Sequence, residues 1–385
     1  VDSKEYLTNK SFCPLPWSGF QIDSDGTVKN CICSLGKIGN LKEKSIVDIM
    51  KDTTNTKIKE QMLADKMPDN CGYCYSLEKN KKDRNIVSSR IYYLKELKTV
   101  PCELYDSPTA FDLTHVDLRW QNSCNFACVY CGPIYSSSWE RELGVTVDRP
   151  SKSRLLETKE YIFSNVHKLK NVYLAGGEPL LMKENEEFLK LLLEKNPNVT
   201  LRVNTNLSKT GTKVFDLLCQ FKEIHWTVSV ESMEQEFEYM RYGGKWDDFL
   251  INLNKILALN HKVTLNMVWC LLNYKSIFNC IDFFQNIGFH NNSFVITALY
   301  GPPWLDSRQL PNDVLQLIKD IAQEKINQKP GFLLEDGYAN IINHINKPFE
   351  KDLKNSFIKI EELDLRRNID SSKIFTELYN IYQGN

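Results

Sequence analysis

The stretch FDLTHVDLRWQNSCNFACVYC, residues 111–131, runs from an alternating apolar segment into three cysteines spaced C-x3-C-x2-C. Residues 111–120 read as a strand, and the cysteines as the loop that follows it. Three thiolates on one loop do not close a structural zinc site, which takes four ligands. They can hold three corners of an iron–sulfur cluster and leave one iron open.

Outward from this stretch the pattern repeats. Further strand candidates are NVYLAG (171–176), VTLRVNTN (199–206), IHWTVSV (224–230), KVTLNMVW (262–269) and SFVITALY (293–300). Helical patterns lie between them, which makes consecutive βαβ units and a parallel sheet the expected α/β architecture. In one intervening helix Trp246, Phe249, Leu250, Leu253 and Leu257 form a single apolar face for packing on the sheet. After Tyr300 comes GPPW and then polar helical sequence, read as a helical extension over 306–385 that covers part of the sheet. The barrel region is expected over 109–305 and a separate amino-terminal region over 1–108.

That first region differs in texture. WSGFQIDSDGTVKNCI (17–32) alternates around DSDG, a hairpin signal, and SIVDIMKD and TKIKEQMLADK read as helices ahead of CGYC (71–74). A charged helix is expected from about Leu77 to Leu97, followed by the connector PCELYDSPTA.

The bulk composition excludes some partners and leaves others open. The 385 residues are 42% hydrophobic and 25% charged, as in a globular protein with more than one domain. Lysine plus arginine (48) nearly balances aspartate plus glutamate (49), so no net field favours nucleic acid or an anionic membrane. No apolar run reaches the about 18 residues of a membrane span, and VDSKEYLTNK lacks a signal-peptide core, so a cytoplasmic location is expected. Twelve cysteines is then a high count, and in a reducing compartment clustered cysteines bind metal or react more often than they pair. Cys124, Cys128 and Cys131 form one group and Cys13, Cys31, Cys71 and Cys74 another. Cys33, Cys102, Cys219, Cys270 and Cys280 read by default as small core residues.

SCNFACVYCG, with Tyr130 in the aromatic place before its last cysteine, resembles the cluster loop of the radical SAM superfamily. The resemblance implies a partial (β/α)6 TIM-like barrel and a 4Fe-4S cluster on Cys124, Cys128 and Cys131. The open iron would chelate S-adenosylmethionine (SAM). AGGEP (175–179), at the end of the second strand, is similar to the glycine-rich segment that meets the methionine amino group, which implicates Gly176, Gly177 and Glu178. Asn204, Asn206, Ser229 and Glu231 fall at carboxyl ends of strands, where barrel sites form. Arg241, in EYMRYGG, resembles an arginine that contacts the SAM carboxylate, and Asn273 is a further candidate. Taken singly, each of these polar residues is equally well a structural hydrogen bond or a solvated charge.

Cys13, Cys31, Cys71 and Cys74 suit tetrahedral zinc as well as a cluster. The pattern C-x12-G-x4-C, with Gly26 in the turn, followed by C-x2-C resembles the twitch domain, the one-cluster short form of the SPASM domain. That resemblance implies a second, auxiliary 4Fe-4S cluster, here ahead of the barrel although in most relatives it follows. Cys33, two residues after Cys31 and expected on the same side of an extended strand, is the reserve for Cys31.

The activity implied is reductive cleavage of SAM to a 5′-deoxyadenosyl radical, hydrogen abstraction from a substrate, and oxidation of that substrate with help from the auxiliary cluster. An electron donor such as flavodoxin or ferredoxin is expected, with no membrane or nucleic-acid partner. Twitch relatives include an aminocyclitol dehydrogenase, which favours a small sugar-like substrate. SPASM relatives that mature peptides by crosslinking or side-chain oxidation supply the alternative. The terminal YQGN, without Gly-Gly, argues against the molybdopterin-pathway relatives. A cysteine-rich zinc-binding module is the alternative of another class, and it leaves AGGEP and the strand alternation unexplained.

Overall fold

The computed structural model describes residues 9–79, 88–96 and 102–384. It forms two units. The first contains residues up to Cys124, then Pro133–Asn204 and Gly211–His225; the second contains Asn125–Gly132, Thr205–Thr210 and Trp226 onward.

In the first unit the expected hairpin is β1 (Gly19–Ile22) and β2 (Thr27–Lys29), antiparallel, with β3 (Gly39–Asn40) on the outer side of β2. Asp23 to Gly26 makes the turn: the Gly26 amide donates to Asp23 O at 2.8 Å and φ of Gly26 is 83°, a value glycine adopts at no steric cost. Helices follow at Ile46–Lys51 and Thr53–Leu63, N-capped by the Ser45 and Asp52 side chains. Buried Asn55 ties this segment together, donating to Met50 O (2.8 Å) and Pro16 O (3.2 Å) while accepting from Asn30 (3.1 Å). Of the expected helix from Leu77 to Leu97, Gly72–Lys79 and Ser89–Glu96 are helical; residues 80–87 and 97 lie outside the described residues.

Beyond the hairpin come β4 (His115–Leu118), β5 (Asn171–Leu174) and β6 (Thr200–Thr205), parallel neighbours in that order. The hairpin also joins this sheet, because β1 pairs in parallel with β4 along its whole length, from Gly19 opposite His115 to Ile22 opposite Leu118. No local pattern announces that pairing. On one face of the sheet Val172, Leu174, Leu201 and Val203 are buried. Phe188, Leu189 and Leu192 form the buried face of the helix Lys183–Lys195, and Phe163 stacks on Phe188 at 5.6 Å. The other face is polar, since Gln21, Asp117, Tyr173 and Arg202 stand in one register row across β1, β4, β5 and β6.

The second unit contains most of β7 (Ile224–Ser229), with β8 (Lys262–Trp269) and β9 (Phe294–Ala298), in the order β7-β8-β9. β8 and β9 are parallel. The helix Trp246–Leu257 buries Trp246, Phe249, Leu253, Asn252 and Ile256. Its buried stripe is therefore turned from the expected one, with Leu250 and Leu257 at its margins. Helices at Asn312–Asn327, Phe332–Ile345, Leu353–Arg367 and Thr376–Gln383 form the extension. Phe332–Ile345 packs on β9, where a Cβ on Gly337 would stand 2.8 Å from the Ile296 side chain. The α/β class with a mostly parallel sheet is thus as the sequence led one to expect. Among the described residues no helix is long and apolar enough to cross a membrane.

Candidate iron–sulfur and SAM sites

The chain passes from the first unit to the second inside the cysteine motif, after Cys124. On the first-unit side Cys124 is held by two serines that begin the helix Ser137–Leu143. Its amide donates to Ser137 Oγ (3.1 Å), and its carbonyl accepts from Ser137 Oγ (3.1 Å) and Ser138 Oγ (2.9 Å). Asn122 secures the approach by donating to Pro133 O (2.6 Å) and to Glu140 (2.7 Å).

AGGEP lies against that same approach. Gly176 has φ of 72° and Gly177 of 49°; a Cβ on Gly176 would sit 2.4 Å from Arg119 Cβ, and one on Gly177 would sit 2.4 Å from Ser123 O. The Glu178 amide donates to Ser123 O at 2.7 Å, and the buried Glu178 carboxylate accepts from the Leu180 amide (3.1 Å). The glycines are needed here for contact with the segment that leads into Cys124. Gly177→Ala combines a left-handed conformation costing about 1–2 kcal/mol with a collision against Ser123. It is expected to lower the thermal midpoint and the iron bound at the central motif, as measured by calorimetry and iron analysis; wild-type values for both would show that this contact does not shape the loop.

On the second-unit side, Ala127 and Val129 donate their amides to Tyr242 O (2.8 Å) and Met240 O (2.9 Å), and the Cys131 amide closes a turn on Cys128 O (2.9 Å). Asn206, expected at a SAM contact, donates to Asn125 Oδ1 (3.3 Å) and accepts from the Ser208 amide (2.9 Å). It positions the motif loop. Glu231 and Arg241 meet as a buried ion pair, Nε to Oε2 at 2.7 Å and Nη2 to Oε1 at 2.5 Å, while Arg241 Nη1 stands 4.0 Å from Cys128 Sγ and the guanidinium lies 5.9 Å from the Tyr130 ring centre. Asn273 donates to Glu231 O (3.0 Å). Burial holds the Tyr130 hydroxyl and the Cys131 thiol above their ordinary values. Asn204, next to last in β6, lies in the first unit and Ser229 ends β7 in the second, both half-buried. Sequence reasoning missed Arg367, whose guanidinium donates to Ala127 O (2.7 Å) and stacks on Tyr242 (4.3 Å). No local signal marks a residue so distant in the chain.

The amino-terminal cysteines all belong to the first unit. Arg90 pairs with Glu78 (2.5 Å) and donates to Phe12 O (2.9 Å), and Tyr75 donates to Ser11 O (2.6 Å). Those bonds bring Cys13 to the helix that carries Cys74. Burial, then proximity to Cys71 and Cys74, raises the Cys13 thiol. Burial followed by Cys74 and Cys33 pushes Cys71 up to about 12. Such crowded sulfurs resist ionising together unless a cationic centre is among them. Cys33 is not a core filler; it is half-buried, with its sulfur 3.3 Å from Ser89 Oγ. Nor does it follow Cys31 along a strand, because β2 ends at Lys29 and Cys31 to Ser34 is a turn closed by the Ser34 amide on Cys31 O (3.1 Å). Cys270 and Cys280 are buried as expected and Cys219 is half-buried; the Cys102 side chain lies outside the described residues.

Among the described residues no three His, Cys, Asp or Glu side chains are placed to hold a single metal ion. A four-iron cluster distributes its ligands over separate irons, so the fit rests on the donor set. Both groups offer sulfur alone, and in both the backbone leading to a cysteine is hydrogen-bonded in place.

Comparison with known proteins agrees. The radical SAM superfamily model matches residues 118–284, and an iron–sulfur cluster-binding domain of the SPASM kind matches 13–75. A GTP 3′,8-cyclase of Sulfurimonas denitrificans is 28% identical over 152 residues, covering 38% of this chain and 43% of the relative; the chain thus spans under half the length of that protein. Another, of Nautilia profundicola, is 26% identical over 286 residues, covering 71% and 84%. Among solved structures, native anSMEcpe with bound AdoMet is 15% identical with a TM-score of 0.42, covering 56% of this chain and 62% of that one. Streptococcus suis SuiB bound to its precursor peptide SuiA is also 15% identical, with a TM-score of 0.42 and coverage of 77% and 67%. Both matches fall on the cysteines described above, so this chain carries a radical SAM domain and, ahead of it, a SPASM-type iron–sulfur domain.

Proposed function

We propose that the protein removes hydrogen from a small polar, sugar-like metabolite and oxidises it, with Cys124, Cys128 and Cys131 as ligands of the SAM-binding cluster and the amino-terminal cysteines as ligands of the auxiliary one. When bound, these groups supply SAM cleavage to a 5′-deoxyadenosyl radical, hydrogen abstraction and uptake of the second electron. Flavodoxin or ferredoxin would deliver the reducing electron. The chain's own residues hold the cysteine loop, and they present the polar sheet face.

The observation that carries this reading is that face in the first unit. Asp23 and Asp117 are buried, Arg119 bonds Asp117 at 3.1 Å, and Gln21 donates to Asp23 at 2.8 Å while its Oε1 is buried without a partner. Burial raises the Asp117 carboxyl, against the lowering pull of Arg119. A buried acceptor lacking a donor costs about 1–3 kcal/mol. A hydroxyl or amine of a polar substrate would satisfy it. All four residues stand at or just past carboxyl ends of strands, the side on which barrel enzymes place their substrates. The relatives named GTP 3′,8-cyclase, which by name act on another small polar molecule, support the same class.

The test is deuterium transfer. Reduced protein with SAM is given deuterated polyols and aminosugars, or deuterated peptides, and 5′-deoxyadenosine is analysed by mass spectrometry. Label arriving from a polyol or aminosugar is expected; label from peptides alone would return the peptide-maturation reading. A soluble Cys74→Ala variant should still cleave SAM and still move substrate deuterium into 5′-deoxyadenosine, yet form little oxidised product. Product at the wild-type rate would remove the auxiliary cluster from the electron path.

A further inference from the structure

We propose that Cys33, and not Cys31, is the fourth protein ligand of the auxiliary cluster, beside Cys13, Cys71 and Cys74. This rests on the reading of residues 13–75 as a cluster site and concerns which sulfur completes it.

The backbone argument comes first. Cys31 opens a turn and Cys33 is its third residue, with Cys31 O accepting from the Ser34 amide at 3.1 Å. The turn is laid onto the short 3-10 helix Asp69–Cys71, because the Leu35 amide donates to Asn70 O (2.9 Å) and Gly36 is in such close contact with Asn70 that a Cβ would come within 2.8 Å of its Oδ1. Residues 33 to 36 are therefore fastened beside the Cys71 to Cys74 segment. Asn30, on the other side of Cys31, is fastened elsewhere, to Asn55 at 3.1 Å.

The side chains agree with the backbone. Cys33 is a close neighbour of Cys31, Cys71 and Cys74. Cys71 and Cys74 in turn act on Cys13. Cys33 thus adjoins Cys71 and Cys74, which in turn adjoin Cys13. Ser89 Oγ, 3.3 Å from Cys33 Sγ, supplies the kind of hydrogen bond that supports a ligating thiolate from outside. In this arrangement Cys31 stands beside the ligating sulfur without holding iron, and neighbours of that kind tune a cluster's potential.

The experiment uses the full chain with Cys124, Cys128 and Cys131 all changed to Ala, so that the iron remaining belongs to the auxiliary site. Iron per chain and the electron paramagnetic resonance of the dithionite-reduced protein are measured after adding Cys13→Ala, Cys31→Ala or Cys33→Ala. Cys33→Ala is expected to lose most of the iron and the signal, and Cys31→Ala to keep the iron with an altered signal. Cys33→Ser, which keeps a hydrogen-bonding group near Ser89 but replaces the soft sulfur, is measured alongside and should also lose occupancy while remaining folded by circular dichroism. Loss in Cys31→Ala alone, equal loss in both, or retention in both overturns the assignment of Cys33. Full iron in Cys13→Ala would overturn the cluster reading itself, a different result.

Discussion

Anaerobically reconstituted protein should hold about eight iron per chain and, with dithionite and SAM, form 5′-deoxyadenosine; Cys128→Ala should abolish that product and bring the iron down to about half. A cluster missing one corner ligand is lost, or no longer presents a single open iron for SAM. Cys128 is the most sheltered of the three cysteines, buried where Cys124 and Cys131 are half-buried, and Arg241 points a cation at its sulfur. Solvent has no easy route to replace it as a ligand. The measurements are iron analysis and chromatography of the nucleoside. Undiminished 5′-deoxyadenosine from Cys128→Ala would sink the assignment of the central motif, and stoichiometric zinc in place of iron would revive the ribbon reading of the amino-terminal group.

The second large effect is expected at the Glu231–Arg241 pair. Both side chains are buried, they share two short bonds, and the guanidinium also faces Cys128. Removing one partner of a buried pair leaves an uncompensated charge, at a cost of about 3–5 kcal/mol, whereas replacing both is often nearly neutral. Glu231→Gln leaves the positive charge beside the sulfur, which favours the reduced, more negative cluster and should raise its potential. Arg241→Gln leaves the carboxylate and should lower it. Each single variant should unfold at markedly lower urea, and the double variant should recover much of the loss. A redox titration followed by paramagnetic resonance gives the signs. Shifts in the same direction for both single variants would show that Arg241 does not act on Cys128 through its charge.

Those two residues also show where the sequence stopped being informative. Position at the end of a strand marked Glu231 and resemblance marked Arg241, but nothing local showed that the two pair with each other across ten residues of chain, or that Arg241 also faces a cysteine of its own unit. Nor did anything local show that Asn206 bonds to Asn125. A strand end fixes where a side chain starts and leaves open which partner it reaches.

The C-x3-C-x2-C loop, AGGEP, the six strands of the α/β region and the hairpin with its paired cysteines were legible because each is local: a ligand spacing, a glycine turn or a period of alternation is complete within a few residues. What only the tertiary structure decided depends on segments far apart in the chain. The parallel pairing of β1 with β4 is one case, since strand register between distant segments leaves no mark in either. The clasp of Arg90 on Glu78 and Phe12, which brings Cys13 to Cys74, is another. The turn at Cys31 is the third, where a strand that ends at Lys29 cancels the rule that residues two apart share a side. Backbone periodicity is a property of the chain itself, but hydrogen-bond partners and buried charges are chosen by whatever the fold places opposite them.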